Sequence, residues 1–245
     1  MKLLSKLYEL WQIRNSKSFI CALRKKGVKI GNGCIIRYPH TARIDVTRPA
    51  LVTIGDNVDM NKNFQILTHD WSSHVFRCLY DDFVNSSGAV TIGSNIYIGT
   101  DVVILKGVTI GDNCIIGAGS IVTRDIPSNS VATGVPCKVV CSINEYYTRR
   151  KRKGLSEAVE YAKAIQKRFG RDPLPCEMTE EFIYFVNKDN VERYELEGVP
   201  VKRQLGKAYS KWIINHQSEF SDFESFMRYV NSHSQITGGG IKFVA

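Results

Sequence analysis

Ile92, Ile98, Ile104, Ile110, Ile116 and Val122 recur every six residues, and Gly93, Gly99, Gly111 and Gly117 directly follow four of them. A second row keeps the same phase four residues on, through Ile96, Val102, Val108, Cys114, Ser120 and Ile126. A period of six is neither the 3.6 of a helix nor the plain alternation of a half-exposed strand. It suits a triangular coil in which each hexad makes one short flat strand and one corner. About three hexads then complete a turn, and stacked turns bury the two rows as one continuous core.

Upstream, Ile30-Gly31 and Ile54-Gly55 carry the same dipeptide, and Ile54, Met60 and Ile66 continue the spacing. Between Ile66 and Ile92 the register breaks. That gap is 26 residues where one hexad needs six, so roughly 20 residues, 67–88, leave the coil. Loops of this length inside a compact domain are uncommon and usually functional. This one contains His69 and His74, two of the five histidines.

The run Val90-Thr91-Ile92-Gly93 through Ile116-Gly117-Ala118-Gly119-Ser120-Ile121-Val122-Thr123-Arg124-Asp125-Ile126-Pro127, closed by Gly134-Val135-Pro136-Cys137-Lys138-Val139, resembles the hexapeptide-repeat acyltransferases. Its character is nearest the galactoside, maltose and nodulation acetyltransferases and their relatives that O-acetylate capsular or lipopolysaccharide sugars. The resemblance spans about residues 28–140. It implies a mainly β fold, a left-handed parallel β-helix, which is an exception to the usual right-handed crossover. It also implies a homotrimer, acetyl-CoA as co-substrate, and active sites between neighbouring coils.

Transfer of an acetyl group from a thioester to a hydroxyl needs a base for the alcohol, donors for the oxyanion, and a site that holds both substrates. Histidine is the natural base near neutral pH. By resemblance, Thr68-His69-Asp70 falls where the sugar acetyltransferases carry their catalytic histidine, with Asp70 as the expected orienter of His69. Asp70 departs from the galactoside branch, which carries Pro there. Acceptor contacts are expected from His74, from Trp71, Arg77 and Tyr80, which could equally pin the loop to the coil, and from Asn61 and Asn63, which equally suit the corners of such a coil because asparagine tolerates left-handed backbone angles. For the donor, the resemblance assigns Thr100, Ala118 and Ser120 to the pantetheine arm, Thr123 and Arg124 to the nucleotide end, and Lys138 to the phosphates. Cys137 reads as packing rather than as a nucleophile, so direct attack without metal or acyl-enzyme is expected.

The 43% apolar content is enough for a sizeable core and excludes wholesale disorder. The formal charge of +9 asks for an anionic partner. Seven cysteines form no CxxC pair or metal-spaced cluster, which argues against zinc and fits a reducing cytosol. No apolar run reaches membrane-spanning length. Residues 1–27 read as an amphipathic helical cap with the basic cluster Arg24-Lys25-Lys26, compatible with contact at the inner face of a membrane. From 141 to 245 helical patterns replace the hexads: one helix from about Tyr146 toward Gly170, one around Thr179–Phe185, and one starting near Ser221 with a capping-box spelling. The basic run 149–153 has no stacking platform or nucleic-acid motif around it.

The expected function is acetyl-CoA-dependent O-acetylation of a sugar hydroxyl in a bacterial surface polysaccharide or its precursor. Two alternatives stand beside it: acetylation of an amino sugar, a xenobiotic or serine, and a non-enzymatic hexapeptide scaffold.

Overall fold

The structure, a computed structural model, describes residues 14–232. The N-terminal stretch Leu3–Ile13 of the expected cap, together with His233 and the Gly238–Gly240 tail, lies outside the described residues. The strands are β1 (Lys29–Ile30), β2 (Ile35–Ile36), β3 (Arg43–Ile44), β4 (Val52–Ile54), β5 (Val58–Met60), β6 (Gln65–Ile66), β7 (Val90–Ile92), β8 (Ile96–Ile98), β9 (Val103–Ile104), β10 (Thr109–Ile110), β11 (Ile115–Ile116), β12 (Ile121–Val122), β13 (Ser130–Thr133) and β14 (Lys138–Ser142). They stack as three faces: β1-β4-β7-β10, then β2-β5-β8-β11-β13-β14, then β3-β6-β9-β12.

All pairings are parallel except the closing one, β13 with β14. In register, Ile92 pairs with Ile110, Ile98 with Ile116, and Ile104 with Val122, so three hexads do make one turn. Both sequence rows point inward: Ile66, Ile98, Ile104, Ile110, Ile116 and Val122 are fully buried, as are Val102 and Ser120. Each such Ile or Val contributes about 1.5–3 kcal/mol of burial.

Two residue types make the corners. A Cβ on Gly99 would lie 2.6 Å from the Ala118 nitrogen of the next coil, so only glycine lets successive turns stack there. Asn57, Asn95, Asn113 and Asn129 take positive φ, the left-handed conformation asparagine tolerates. The last three form a side-chain ladder, with Asn95 Nδ2 donating to Asn113 Oδ1 at 2.8 Å and Asn113 Nδ2 to Asn129 Oδ1 at 3.0 Å.

The first turn is longer than the others. From Ile30 to Ile54 is 24 residues rather than 18, and the excess sits in two 3₁₀ turns opened by prolines, Pro39–Thr41 and Pro49–Leu51. Below that turn, helix α1 (Ser16–Lys25) buries Ile20 and Leu23 in the same core as Val28 and Ile30. Its start is set at Asn15, which is extended and whose side chain accepts from the Ser18 amide at 2.9 Å. The 67–88 segment leaves the coil and returns to it, and carries helix α2 (Ser73–Leu79).

The chain divides into two compact units, Met1–Thr148 and Arg149–Ala245. The change falls after the expected position of 141 because β14 still belongs to the coil, as does the start of helix α3 (Ile143–Phe169). The second unit has its own core, in which Phe185 makes edge contacts with Tyr194 and Phe223 at 5.3 and 5.0 Å between ring centroids. Two expectations shift here. Glu181–Tyr184 is one 3₁₀ turn rather than a longer helix. The last helix, α7 (Phe223–Ser232), follows α4 (Val191–Leu196), α5 (Val201–Leu205) and α6 (Tyr209–Asn215). Its cap is one residue later than the spelling suggested: Asp222 Oδ1 accepts from the Ser225 amide at 2.7 Å, and Ser225 Oγ accepts from the Asp222 amide at 3.2 Å.

Candidate active site

The corner that follows the third face collects the candidate chemistry. Because β3 and β6 pair through Ile44 and Ile66, Asp45 and the residues after Ile66 meet across one turn of the coil. His69 Nδ1 lies 2.7 Å from Asp45 Oδ2. The same oxygen accepts from the Thr68 hydroxyl, while Asp45 Oδ1 accepts from the Thr47 amide at 3.0 Å and the Thr47 hydroxyl at 2.6 Å. Burial pushes the Asp45 carboxyl up, but the bonds from Thr47, Thr68 and His69 outweigh it and hold the group well below the usual carboxylate range.

An ionised carboxylate can only accept, so the proton between the pair belongs to His69 Nδ1. In the neutral imidazole Nε2 then carries the lone pair, which is the tautomer a general base requires. The Asp45 side chain is 8% exposed and that of His69 31%, so the imidazole is anchored from inside and reachable from outside.

Asp70, expected to orient His69, does something else. It bonds Lys106 Nζ, accepts from Ser86 Oγ at 2.8 Å and from the Ser72 amide at 2.9 Å. Lys106 foremost, with Ser72 and Ser86, holds its carboxyl well below the ordinary range. Its carboxylate is taken up by these partners, while His69 Nδ1 meets Asp45. Asp70 clasps the exit and re-entry of the excursion, where His69 and Ser87 form an antiparallel bridge and the Gly88 amide donates to Thr68 O at 2.9 Å.

Around this corner the excursion sets several expected acceptor residues together. Trp71 meets Phe83 edge-on at 5.9 Å, and the Arg77 guanidinium lies 5.8 Å from the Trp71 ring. His74 is 3.2 Å from Arg77, and Tyr80 ends α2 as an exposed ring 6.3 Å from Phe76. Asn61 and Asn63 are not with them. Both occupy the corner before the third face, with Asn61 Nδ2 donating to Tyr97 Oη at 3.1 Å and Asn63 Nδ2 to Asp101 Oδ1 at 2.7 Å. Asn63 has positive φ, the ordinary corner geometry of this coil.

The expected donor residues border the same third face. Thr100 and Ala118 stack at its leading corner, where Gly119 N donates to Thr100 O at 2.8 Å and a Cβ on Gly119 would meet open space. Lys138 stands opposite Thr133 near that edge. Thr123 and Arg124 follow β12 at the trailing corner, and Arg124 repeats the position of Lys106 one coil earlier. Ser120 departs from its expected role. It is fully buried, with its hydroxyl donating to Gly117 O at 2.6 Å and accepting from the Gly134 amide at 3.1 Å, so it ties corners together instead of meeting a ligand. Cys137 is buried, and burial pushes its thiol up, the wrong direction for a nucleophile.

Two polar residues at this corner were not among the sequence candidates. Asp45 lies 24 residues before His69, and Lys106 lies 36 after Asp70. The signal was available: each stands one or two places past an Ile of the hexad row, Ile44 and Ile104, so each belongs to the corner column that the excursion leaves.

Residues 89–124 match the family described as bacterial transferase hexapeptide (six repeats). Protein CapG of Staphylococcus aureus is 34% identical over 173 residues, 70% of this chain and 90% of CapG. The galactoside O-acetyltransferase of Escherichia coli (strain K12) is 53% identical over 95 residues, 38% of this chain and 45% of that enzyme. A solved maltose O-acetyltransferase from Clostridium difficile 630 is 31% identical, with 58% of this chain and 84% of that chain covered and a TM-score of 0.39. The chain belongs to the bacterial hexapeptide-repeat transferases, and its coil is their left-handed parallel β-helix.

Proposed function

We propose that the protein is an O-acetyltransferase that moves the acetyl group of acetyl-CoA to a sugar hydroxyl, with His69 as general base and Asp45 as the residue that orients it. The reading rests on one observation above others: a histidine at the excursion's exit whose Nδ1 is fixed by an ionised aspartate, leaving Nε2 free. Nε2 removes the proton as the hydroxyl oxygen forms its bond to the acetyl carbonyl carbon. Asp45 steadies the imidazolium that results. Collapse of the tetrahedral intermediate breaks the carbon–sulfur bond, and the proton held on Nε2 passes to the departing thiolate, so no acyl-enzyme is needed.

The name of the galactoside relative supports an acetyl donor and a sugar acceptor. Thr100, Ala118, Thr123, Arg124 and Lys138 along the edges of the third face form the donor groove, with the cations directed at phosphate. A homotrimer with sites between coils, and work on surface polysaccharide precursors at the inner face of the cell membrane, belong to the same proposal. Among the described residues no helix is long and apolar enough to cross a membrane.

The test is thiol release from acetyl-CoA with galactosides, amino sugars and serine offered in parallel. His69→Ala is expected to lose about 10²–10⁴ of turnover, and undiminished turnover would remove the base from the scheme. Preference for serine or an amino group would replace the acceptor.

A further inference from the structure

A second concavity lies on a face that the proposed chemistry does not use. On the second face, Asp59, Tyr97 and Ile115 are register partners on β5, β8 and β11, so they project outward in one straight row. Asn57, Asn95 and Asn113 precede them by two residues and form a second row beside it. With Ile96, Cys114 and the first residue of α3, Ile143, they line a cleft of about 330 Å³. That is the lower end of the size range of small-ligand sites.

Its groups are fixed in place before any ligand arrives. Asp59 is gripped by Arg37 through both oxygens, at 2.9 Å from Nε and 2.6 Å from Nη2. Tyr97 is 41% exposed, and its hydroxyl is held by Asn61 Nδ2. The Asn95–Asn113–Asn129 ladder uses one N–H of each donating amide, and every amide has two N–H groups and two acceptor sites. A ring face and an isoleucine flanked by rigid amides and a carboxylate is the combination that holds a pyranose, apolar against its flat face and polar toward its hydroxyls. The rows repeat at the strand spacing of about 4.8 Å, close to the length of one sugar ring. Charge sorts the ligand further. Among the described residues that line the cleft none is a cation, and Arg37 beside it is paired with Asp59, so this lining does not favour phosphate.

We infer that the Asp59–Tyr97–Ile115 cleft is a binding site for neutral sugar units, separate from the His69 corner, which grips part of an oligosaccharide acceptor away from the reacting hydroxyl. The inference rests on the proposed sugar acceptor for its choice of ligand, but its test reads binding and not turnover.

The full-length protein is titrated with a neutral β-linked galacto-oligosaccharide of four units, followed by calorimetry and by saturation-transfer NMR. Wild type is expected to bind saturably, and His69→Ala to keep most of that affinity. Tyr97→Ala at an exposed ring and Ile115→Asp at a partly exposed side chain are expected to weaken binding tenfold or more while coenzyme A binding and the circular dichroism spectrum stay as in wild type. Wild-type affinity in both cleft variants would overturn the site, as would the absence of saturable binding to wild type. Loss of binding in His69→Ala alone would place the sugar at the His69 corner and overturn it too. A protein that binds the tetrasaccharide through the cleft yet transfers no acetyl group would sink the proposed function and leave the cleft standing.

Discussion

At the residue scale the decisive group is Asp45. Its carboxylate collects bonds from Thr47, Thr68 and His69, and it stays ionised because these outweigh the cost of its burial. Asp45→Asn keeps the shape but presents an amide that can donate to Nδ1, which moves the imidazole proton to Nε2 and removes the base. Turnover is expected to fall about 10²–10⁴-fold with little change in acetyl-CoA KM; steady-state kinetics with both substrates varied checks it. The same change has a pH signature. The folded carboxyl titrates below its unfolded value near 3.9, so its stabilisation is fully present above pH of about 4 and is lost as pH falls. Asp45→Asn should therefore cost about 1–3 kcal/mol at neutral pH. The gap to wild type should close below pH of about 4, as read by denaturant melts across pH. The proposed base was nameable from the sequence because the hexad break sets His69 and His74 apart and the family resemblance falls on Thr68-His69-Asp70. Asp70 was expected to orient it, but the aspartate within reach of His69 is Asp45, because neighbours in a coil come from the adjacent turn as often as from the adjacent position in the chain.

At the element scale, the excursion shows how far a period can be read. Its length and ends followed from the register alone, because Ile66 and Ile104 must stack and everything between in excess of a coil must leave. Its interior did not follow: α2 has seven residues, too few for a helical period to stand out against the Ser, His and Cys within it. What holds the excursion is the clasp of Asp70, Lys106 and Ser86 at its neck, with Gly88 admitted so close to Gly107 that a Cβ would sit 2.7 Å from its nitrogen. Lys106→Met keeps the stem and removes the charge. Amide hydrogen exchange at Asp70 and Gly88, which donate to Ser86 O and Thr68 O, is expected to quicken while the β8 and β11 amides stay protected. Unchanged exchange at the neck would show that backbone pairing, and not the clasp, closes it. Asn61 and Asn63 were open between corner and ligand contact on sequence grounds, and the positive φ of Asn63 with its bond to Asp101 accounts for that one as a corner.

At the scale of the molecule, the hexads dictate the first unit almost line by line, while the second has no repeat to read and is held by one mixed aromatic core. The separate core makes a prediction at Gly154, directly after the basic run 149–153 of α3. Exposed helix glycine replaced by alanine normally gains about 1 kcal/mol. Here a Cβ would fall 2.1 Å from the Tyr184 hydroxyl oxygen and 3.5 Å from its Cζ, so the tyrosine tip occupies the space that glycine leaves. Gly154→Ala is expected to destabilise the second unit by about 1–3 kcal/mol through overpacking. Tyr184→Phe removes the atom in conflict, so the pair Gly154→Ala with Tyr184→Phe should recover that loss and retain the helix gain. The fluorescence of Trp212, which stacks on His216 at 3.9 Å, follows unfolding of this unit. Strand circular dichroism follows the coil, whose transition should not move in any of the three variants. Additive effects of the two substitutions would mean that Tyr184 yields without cost, and that the glycine in this helix answers to something other than packing.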